Sequence, residues 1–159
     1  MQVELRPATA ADHPFLVAVY ASVRAAELAP LGWSEEQRRA FVVQQYDAQA
    51  RAYATYDGLT TSVILADQTP VGRLIVARWP AELRVADIAV LDAHRNRGIA
   101  SEILGDLLAE AAAGGLAVTI HVEETNPAAA LYRRLGFAPE GDVINGVYRL
   151  WRAQPKTAS

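Results

Sequence analysis

The sequence predicts a single α/β domain built around a mixed sheet, and three observations lead there. Stretches of strand length, alternating or wholly apolar, recur between stretches of helical periodicity. The two kinds interleave along the chain instead of segregating into halves, in the order β-α-α-β-β-β-α-β-α-β-β. A length of 159 residues, 52% hydrophobic and 21% charged, suits one buried core. No internal repeat or linker precedes residue 152, so the domain is expected over 1–152. Residues 153–159, with Pro155 and Lys156 and no periodicity, read as a disordered tail.

Val3 to Arg6 alternates apolar and charged residues and predicts a first strand, which Pro7 ends. Thr9 to Asp12 then turns the chain into a helix over about Asp12 to Ala29, in which Leu16, Val19, Tyr20, Val23 and Leu28 recur at helical spacing. Pro30 and Gly32 stop it. Ser34-Glu35-Glu36-Gln37 has the form of a capping box and opens a second helix reaching about Tyr53. From Leu59 the period is two. Thr61 to Ala66 and Val71 to Ala77 predict an antiparallel hairpin turning at Asp67 to Pro70, and Glu82 to Leu91 a third extended run.

Gly98 to Ala113 predicts a helix with Ile99, Ile103, Leu107 and Ala111 on one face and Gly114-Gly115 as its stop. Leu116 to Val122 is apolar throughout, as in a central strand covered on both sides. In the helix after it, Asn126 stands as N-cap, Pro127 in the first turn, and Gly136 at the left-handed C-terminal position, with Phe137 folding back on Leu131 or Leu135. Ala138 to Val143 and Val147 to Arg152 predict the last two strands.

Lys plus Arg number 15 against 18 Asp plus Glu, a net charge of -3, which argues against a surface for nucleic acid or membranes. Any anion site must be local. The absence of Cys excludes disulfides, thiol nucleophiles and Cys-rich metal sites, and His13, His94 and His121 have no ligand spacing, so no metal is expected. The N-terminus lacks a signal-peptide pattern, and no segment reaches the roughly 18 uncharged apolar residues of a membrane span, so a cytoplasmic protein is expected.

One stretch breaks the charge balance. A strand ending near Leu91 leads into Asp92-Ala93-His94-Arg95-Asn96-Arg97, and Gly98 then opens a helix. Unpaired backbone amides, the positive helix end and two arginines converge there, which is the physical requirement for holding a phosphate. The turn lacks the Lys-Ser/Thr of a P-loop and has only one of three dinucleotide-fold glycines, which disfavours nucleotide hydrolysis and hydride transfer.

Together with Asn126-Pro127 to Tyr132 to Gly136-Phe137, the Arg95-Asn96-Arg97-Gly98-Ile99-Ala100 turn resembles the GNAT N-acetyltransferase superfamily, and the order of elements agrees from Val3 to Trp151. Ala100 stands where the family more often has Gly. The resemblance implies an α+β acyl-CoA N-acyltransferase fold, with a mixed, mostly antiparallel sheet of six to seven strands and about four helices. It implies acetyl-CoA as donor and a primary amine, on a small molecule or peptide, as acceptor. Arg95, Asn96, Arg97, Gly98, Ile99, Ala100 and Ser101 would then hold the pyrophosphate. Ile88 and Val90 would pair with the pantetheine arm as with an added strand. Asn126 would contact the arm or the acetyl end, or serve only as a cap. Tyr132 would meet the departing sulfur.

The acceptor amine must shed a proton. Asp87 and Glu82 are the candidate bases, although their opposite parity puts them on opposite faces unless a bulge intervenes. A salt bridge from Asp87 to an arginine is the competing reading. Arg24, Glu27, Trp33 and Tyr46 are candidate acceptor contacts, with Arg24 and Glu27 spaced to bridge each other. Direct transfer without a covalent enzyme intermediate is expected, and the lack of Cys, which excludes an acyl-Cys intermediate, fits it. A non-catalytic acyl-CoA sensor and a transferase for longer acyl chains or protein amines are the alternatives. A homodimer is compatible with each.

Overall fold

The computed structural model describes residues 1–124 and 126–155. The elements follow the predicted order: β1 (Val3–Pro7), α1 (His13–Leu28), α2 (Glu35–Tyr53), β2 (Leu59–Ala66), β3 (Thr69–Arg78), β4 (Glu82–Val90), α3 (Ile99–Ala113), β5 (Ala117–Glu123), α4 (Ala129–Arg134), β6 (Ala138–Ile144) and β7 (Tyr148–Ala153). The strands form one seven-stranded sheet in the order β1-β2-β3-β4-β5-β7-β6. Only β4 and β5 run parallel, and every other neighbouring pair is antiparallel. The sheet is therefore mixed and mostly antiparallel, as expected.

Local chemistry accounts for the element ends. The Ser34 hydroxyl accepts from the Gln37 amide at 3.1 Å while the Gln37 side chain accepts from the Ser34 amide at 2.9 Å, completing the capping box of α2. The β2–β3 turn is tighter than expected. Asp67 and Gln68 both take positive φ, 48° and 71°, which closes a two-residue hairpin whose twist matches the strands, and Thr69 and Pro70 join β3.

Two expectations are corrected. The helix after β5 spans only Ala129–Arg134, because the Asn126 carboxamide accepts from the Ala128 amide at 2.8 Å. That Asx turn takes up Pro127 and Ala128, so Asn126 lies ahead of the helix and is not its N-cap. Phe137 folds back as predicted in kind, but its ring meets Tyr132, edge-on at 6.1 Å, with Gly136 at φ 100° making the reversal. At the C-terminus, Ala153 is no tail residue: it pairs with Val118 and is buried. Of the expected tail, residues 156–159 lie outside the described residues.

Strand alternation separates two cores. On one face of the sheet Leu74, Val76, Leu83, Val85, Val118 and Ile120 pack with Ile99, Ile103, Leu104 and Leu107 of α3 and with Tyr132, Phe137 and Trp151. On the other face a smaller cluster joins Leu16, Tyr20 and Leu28 of α1, Val42 and Tyr46 of α2, and Val63. The helical stretch Ala10–Leu31 is long and apolar enough to cross a membrane by composition, yet its Leu16, Val19, Tyr20 and Leu28 are buried in the domain. Of 19 residues in α2, only Val42 and Tyr46 are buried. A helix so weakly anchored stands off the sheet, and a cavity of about 280 Å³ opens beneath its C-terminal half, between Tyr46, Gln49, Tyr53, Arg73 and Ile75.

Candidate active site

The parallel pair β4–β5 holds register only from Glu82↔Ala117 to Val85↔Ile120. Beyond that fork the strands part, and the rest of β4 has β3 alone as its neighbour. The Leu91 amide donates to the Val71 carbonyl across β3, so the odd-numbered positions near the strand end turn their backbone groups to β3. Alternation then turns those of Ile88 and Val90 toward the gap. This is the edge on which the sequence placed an extended ligand arm.

At the open end of the gap lies the Arg95–Ser101 turn. Gly98, at φ 79°, begins α3 in the left-handed region, and a Cβ there would meet nothing within 4 Å, so the backbone conformation and not lack of space calls for glycine. The Glu102 amide is the first to be claimed by the helix, from the Gly98 carbonyl. Among the described residues, nothing accepts from the amides of Arg97, Gly98, Ile99, Ala100 and Ser101. The two arginines divide the work. Arg95 donates from Nε to the Val90 carbonyl at 2.9 Å and pairs with Asp92, so it braces the strand end and its charge is compensated. Arg97 is exposed, without a partner among the described residues, and is the cation available to a phosphate.

Tyr132 enters from α4 on the α3 side of the sheet. It is only 6% exposed and packs edge-on to Phe137 and Trp151 in the core cluster that also contains Val90, Ile99 and Val122. The carbonyl of Tyr132 accepts from the amides of Phe137 and Leu135, which locks the turn carrying it. Burial pushes its phenol above the ordinary tyrosine value and the Asp87 charge adds to this, while Asn126 offsets it in part.

The α2 face of the gap carries the titratable groups. Between Ile75↔Asp87 and Val76↔Val85 the β3–β4 register steps by one, leaving Ala86 as a bulge. The bulge reverses the parity of β4, so Glu82, Arg84 and Asp87 share this face after all. They do different things there. Asp87 Oδ2 accepts from the buried Arg73 Nε at 2.6 Å, the salt bridge that competed with a catalytic reading, but Oδ1 has no partner among the described residues and the side chain keeps 29% exposure. Glu82 sits at the closed end of the fork, roughly 15 Å along the strand from Asp87. Its carboxylate accepts from the Thr119 hydroxyl, and Arg84 lies against both. Burial would raise the Glu82 carboxyl, but the Thr119 hydrogen bond and the charges of Arg84 and Arg152 outweigh it and hold it below its usual value. Glu82 is a member of a structural network and not a group at the gap.

Of the four expected acceptor contacts, Tyr46 alone lines the cavity. Arg24 and Glu27 pair with each other at 2.8 Å, and Trp33 packs against Phe41 within the small core. A second, smaller hollow continues from the cavity toward the fork, sharing Tyr53, Tyr56 and Leu59 and reaching Trp79, Ala86 and His121. The Tyr53 hydroxyl donates to the Ala86 carbonyl at 3.4 Å, and burial together with the Asp87 charge pushes its phenol up to about 12.

Residues 25–137 match the family model described as the acetyltransferase (GNAT) family. The chain belongs to that family. As a GNAT domain it is similar in fold to the PaiA N-acetyltransferase of Thermoplasma acidophilum, solved in complex with coenzyme A. The TM-score is 0.71 at 17% identity, over 97% of this chain and 99% of that one. An acetyltransferase from Thermus thermophilus gives TM-score 0.71 at 19% identity, over 97% of each chain. The ribosomal-protein-S18-alanine N-acetyltransferase of Escherichia coli gives 0.65 at 18%, over 99% of this chain and 97% of that one. Among curated proteins, the uncharacterised protein ML0378 of Mycobacterium leprae is 35% identical over 88 residues, 55% of this GNAT chain. The chain spans only 24% of that relative's length.

Several groups around these hollows escape a linear reading: Gln49, Tyr53, Tyr56 and Arg73 around the cavity, and Trp79, Arg84, Thr119 and His121 by the fork. Arg73 left a signal, a lone charge inside the apolar run Val71 to Ala77. Gln49 and Tyr53 left none, because an aromatic or polar residue every few positions in α2 also reads as a wet helix face.

Proposed function

We propose that this protein is an N-acetyltransferase that passes the acetyl group of acetyl-CoA directly to a primary amine. The observation that carries the reading is the fork at Val85 and Ile120. It leaves the Ile88–Val90 edge of β4 without a neighbouring strand, with only the Val90 carbonyl taken, by Arg95, and the edge leads to a turn whose amides, from Arg97 to Ser101, have no acceptor among the described residues. An unpaired strand edge fits an extended amide arm, and a cluster of unused amides at a helix start fits a pyrophosphate. The residues present therefore fit coenzyme A.

Acetyl-CoA supplies an acetyl group activated as a thioester. Arg97 and the amides of Gly98, Ala100 and Ser101 bind its phosphates, and Ile88 and Val90 align its arm. An alkylamine with pKa near 10.4 is mostly ammonium at neutral pH and cannot attack. Asp87, with one carboxylate oxygen still open and facing the α2 side, takes that proton directly or through a water. Tyr132 stands on the opposite side of the sheet and donates its hydroxyl hydrogen bond to the sulfur as the carbon–sulfur bond breaks. Full transfer of the phenolic proton to a thiolate is uphill by about 2 kcal/mol from ordinary values of about 10 and 8.5, and burial of Tyr132 increases that gap. The hydroxyl therefore stabilises the thiolate without giving up its proton. The products are the acetylated amine and free coenzyme A.

Thermal unfolding with and without acetyl-CoA tests the donor. Ligand at 100 times its dissociation constant adds about 2.7 kcal/mol, which raises the midpoint by about 5–11 °C for a domain of this size. An unchanged midpoint at millimolar acetyl-CoA overturns the reading.

A further inference from the structure

Arg73 is the least expected residue of the fold. It rises from the centre of β3, is 4% exposed, and is flanked by the rings of Tyr20 and Tyr46, each centred 5.8 Å from the guanidinium carbon. A guanidinium has five donors and cannot discharge by losing its proton. Here Nε donates to Asp87 at 2.6 Å and one Nη2 hydrogen to the Gln49 carboxamide at 2.9 Å. Among the described residues no acceptor meets Nη1 or the other Nη2 hydrogen. These donors are not sealed inside the protein but open onto the adjoining space, where a ligand or water can complete the site.

The surroundings say what kind of ligand. Arg73 lines the cavity of about 280 Å³ under α2, whose other walls include Tyr46, Gln49, Tyr53 and Tyr56 with Ile75 below. No carboxylate is among the lining residues, and among the described residues the acid that pairs with Arg73 is Asp87, on its Nε side. The cavity thus offers a fixed cation and phenol hydroxyls, with apolar and aromatic walls. That set suits a carboxylate, which accepts from two adjacent guanidinium donors in one plane. A second hollow shares Tyr53, Tyr56 and Leu59 with this cavity and is lined on its far side by Ala86 and His121, next to the fork. Asp87 holds Arg73 through one oxygen, and the other has no partner among the described residues.

We propose that the acceptor is an amine that also carries a carboxylate, an amino acid or a compound built like one, with its carboxylate held by Arg73 and its amine directed to Asp87 and the fork. This rests on the acetyltransferase reading above and adds the class of its second substrate.

The test compares matched pairs that differ only in the carboxylate: phenylalanine against 2-phenylethylamine, and 4-aminobutyrate against propylamine. The two acids place the carboxylate at different distances from the amine. Binding to the wild-type protein saturated with coenzyme A is measured by calorimetry, and coenzyme A release from acetyl-CoA is measured in parallel. In at least one pair the acid binds at least tenfold tighter than its decarboxylated partner, and Arg73→Lys, which keeps the charge but not the planar fork, removes most of that preference. The proposal is overturned if neither acid is preferred, or if the preference survives Arg73→Lys. Because saturation with coenzyme A is measured first, loss of the donor reading is seen separately from loss of this one.

Discussion

Gly72 ties the stability of the sheet to the Ala89–Val90 edge of β4, the edge proposed to take coenzyme A, and substituting it tests that tie. It pairs with Val90 at the end of β4, and an added Cβ would lie 2.2 Å from the Ala89 carbonyl oxygen and 3.1 Å from Val90 Cα. Backbone atoms cannot swing away as a side chain can. The first contact falls 0.8 Å inside the 3.0 Å that real Cβ atoms respect, so β3 and β4 must part locally by at least that much. Overpacking of this kind costs about 1–3 kcal/mol, or about 2–12 °C of midpoint. Gly105, in the middle of α3, is the control: a Cβ there meets nothing within 4 Å, and Ala stabilises a helix interior by about 0.5–1 kcal/mol. Gly72→Ala and Gly105→Ala therefore shift the melting midpoint in opposite directions. Calorimetry with acetyl-CoA should add a weakened affinity for Gly72→Ala only, because the displaced backbone is that of Ala89 and Val90. Two results refute the reasoning: midpoints moving in the same direction, or Gly72→Ala binding acetyl-CoA as the wild type does.

Two further outcomes are expected. Tyr132→Phe lowers turnover in the coenzyme A release assay, by about tenfold or more if the hydrogen bond to a thiolate is worth about 1.5–3 kcal/mol, while acetyl-CoA affinity stays near wild type; equal loss in both means the hydroxyl serves binding or packing. His121 is held below the ordinary histidine value, by burial first and the Arg84 charge second, against an opposing pull from Glu82. A depressed folded value means the unfolded chain takes up the proton first, so this contribution to stability is complete above about pH 6.5 and is lost as pH falls through the folded value. Between pH 7.5 and 5.5 the wild-type midpoint then drops more than that of His121→Gln. Parallel declines would show that His121 does not titrate in this way.

Much of the fold was legible because it depends on local chemistry. The Ser34–Gln37 box, the stop at Gly136 and the two-residue period from Leu59 each express a preference within a few residues, and each element lies where the pattern put it. The turn proposed to hold phosphate was legible for the same reason, since a strand, two arginines and a helix-starting Gly98 are contiguous. Where expectation and structure part, a contact distant in sequence, or a competing local one, decided. Asn126 spends its acceptor on the nearer Ala128 amide and so starts a turn before the helix. Ala153 is drawn into β7 by pairing with Val118, 35 residues earlier.

The sequence by itself determined the kind of protein: one α/β domain with a strand-to-helix turn carrying Arg95, Arg97 and Gly98, no cysteine, and a second motif that holds Tyr132. Only the tertiary structure decided which polar groups act together. The Ala86 bulge puts Asp87 on the same face as Arg84, and strand pairing sets Asp87 against Arg73, 14 positions earlier. The lightly anchored α2 holds a cavity open above them. The physical reason is that a strand's pattern states which side chains alternate, whereas register, bulges and the standoff of a packed helix determine which of them share a face and meet.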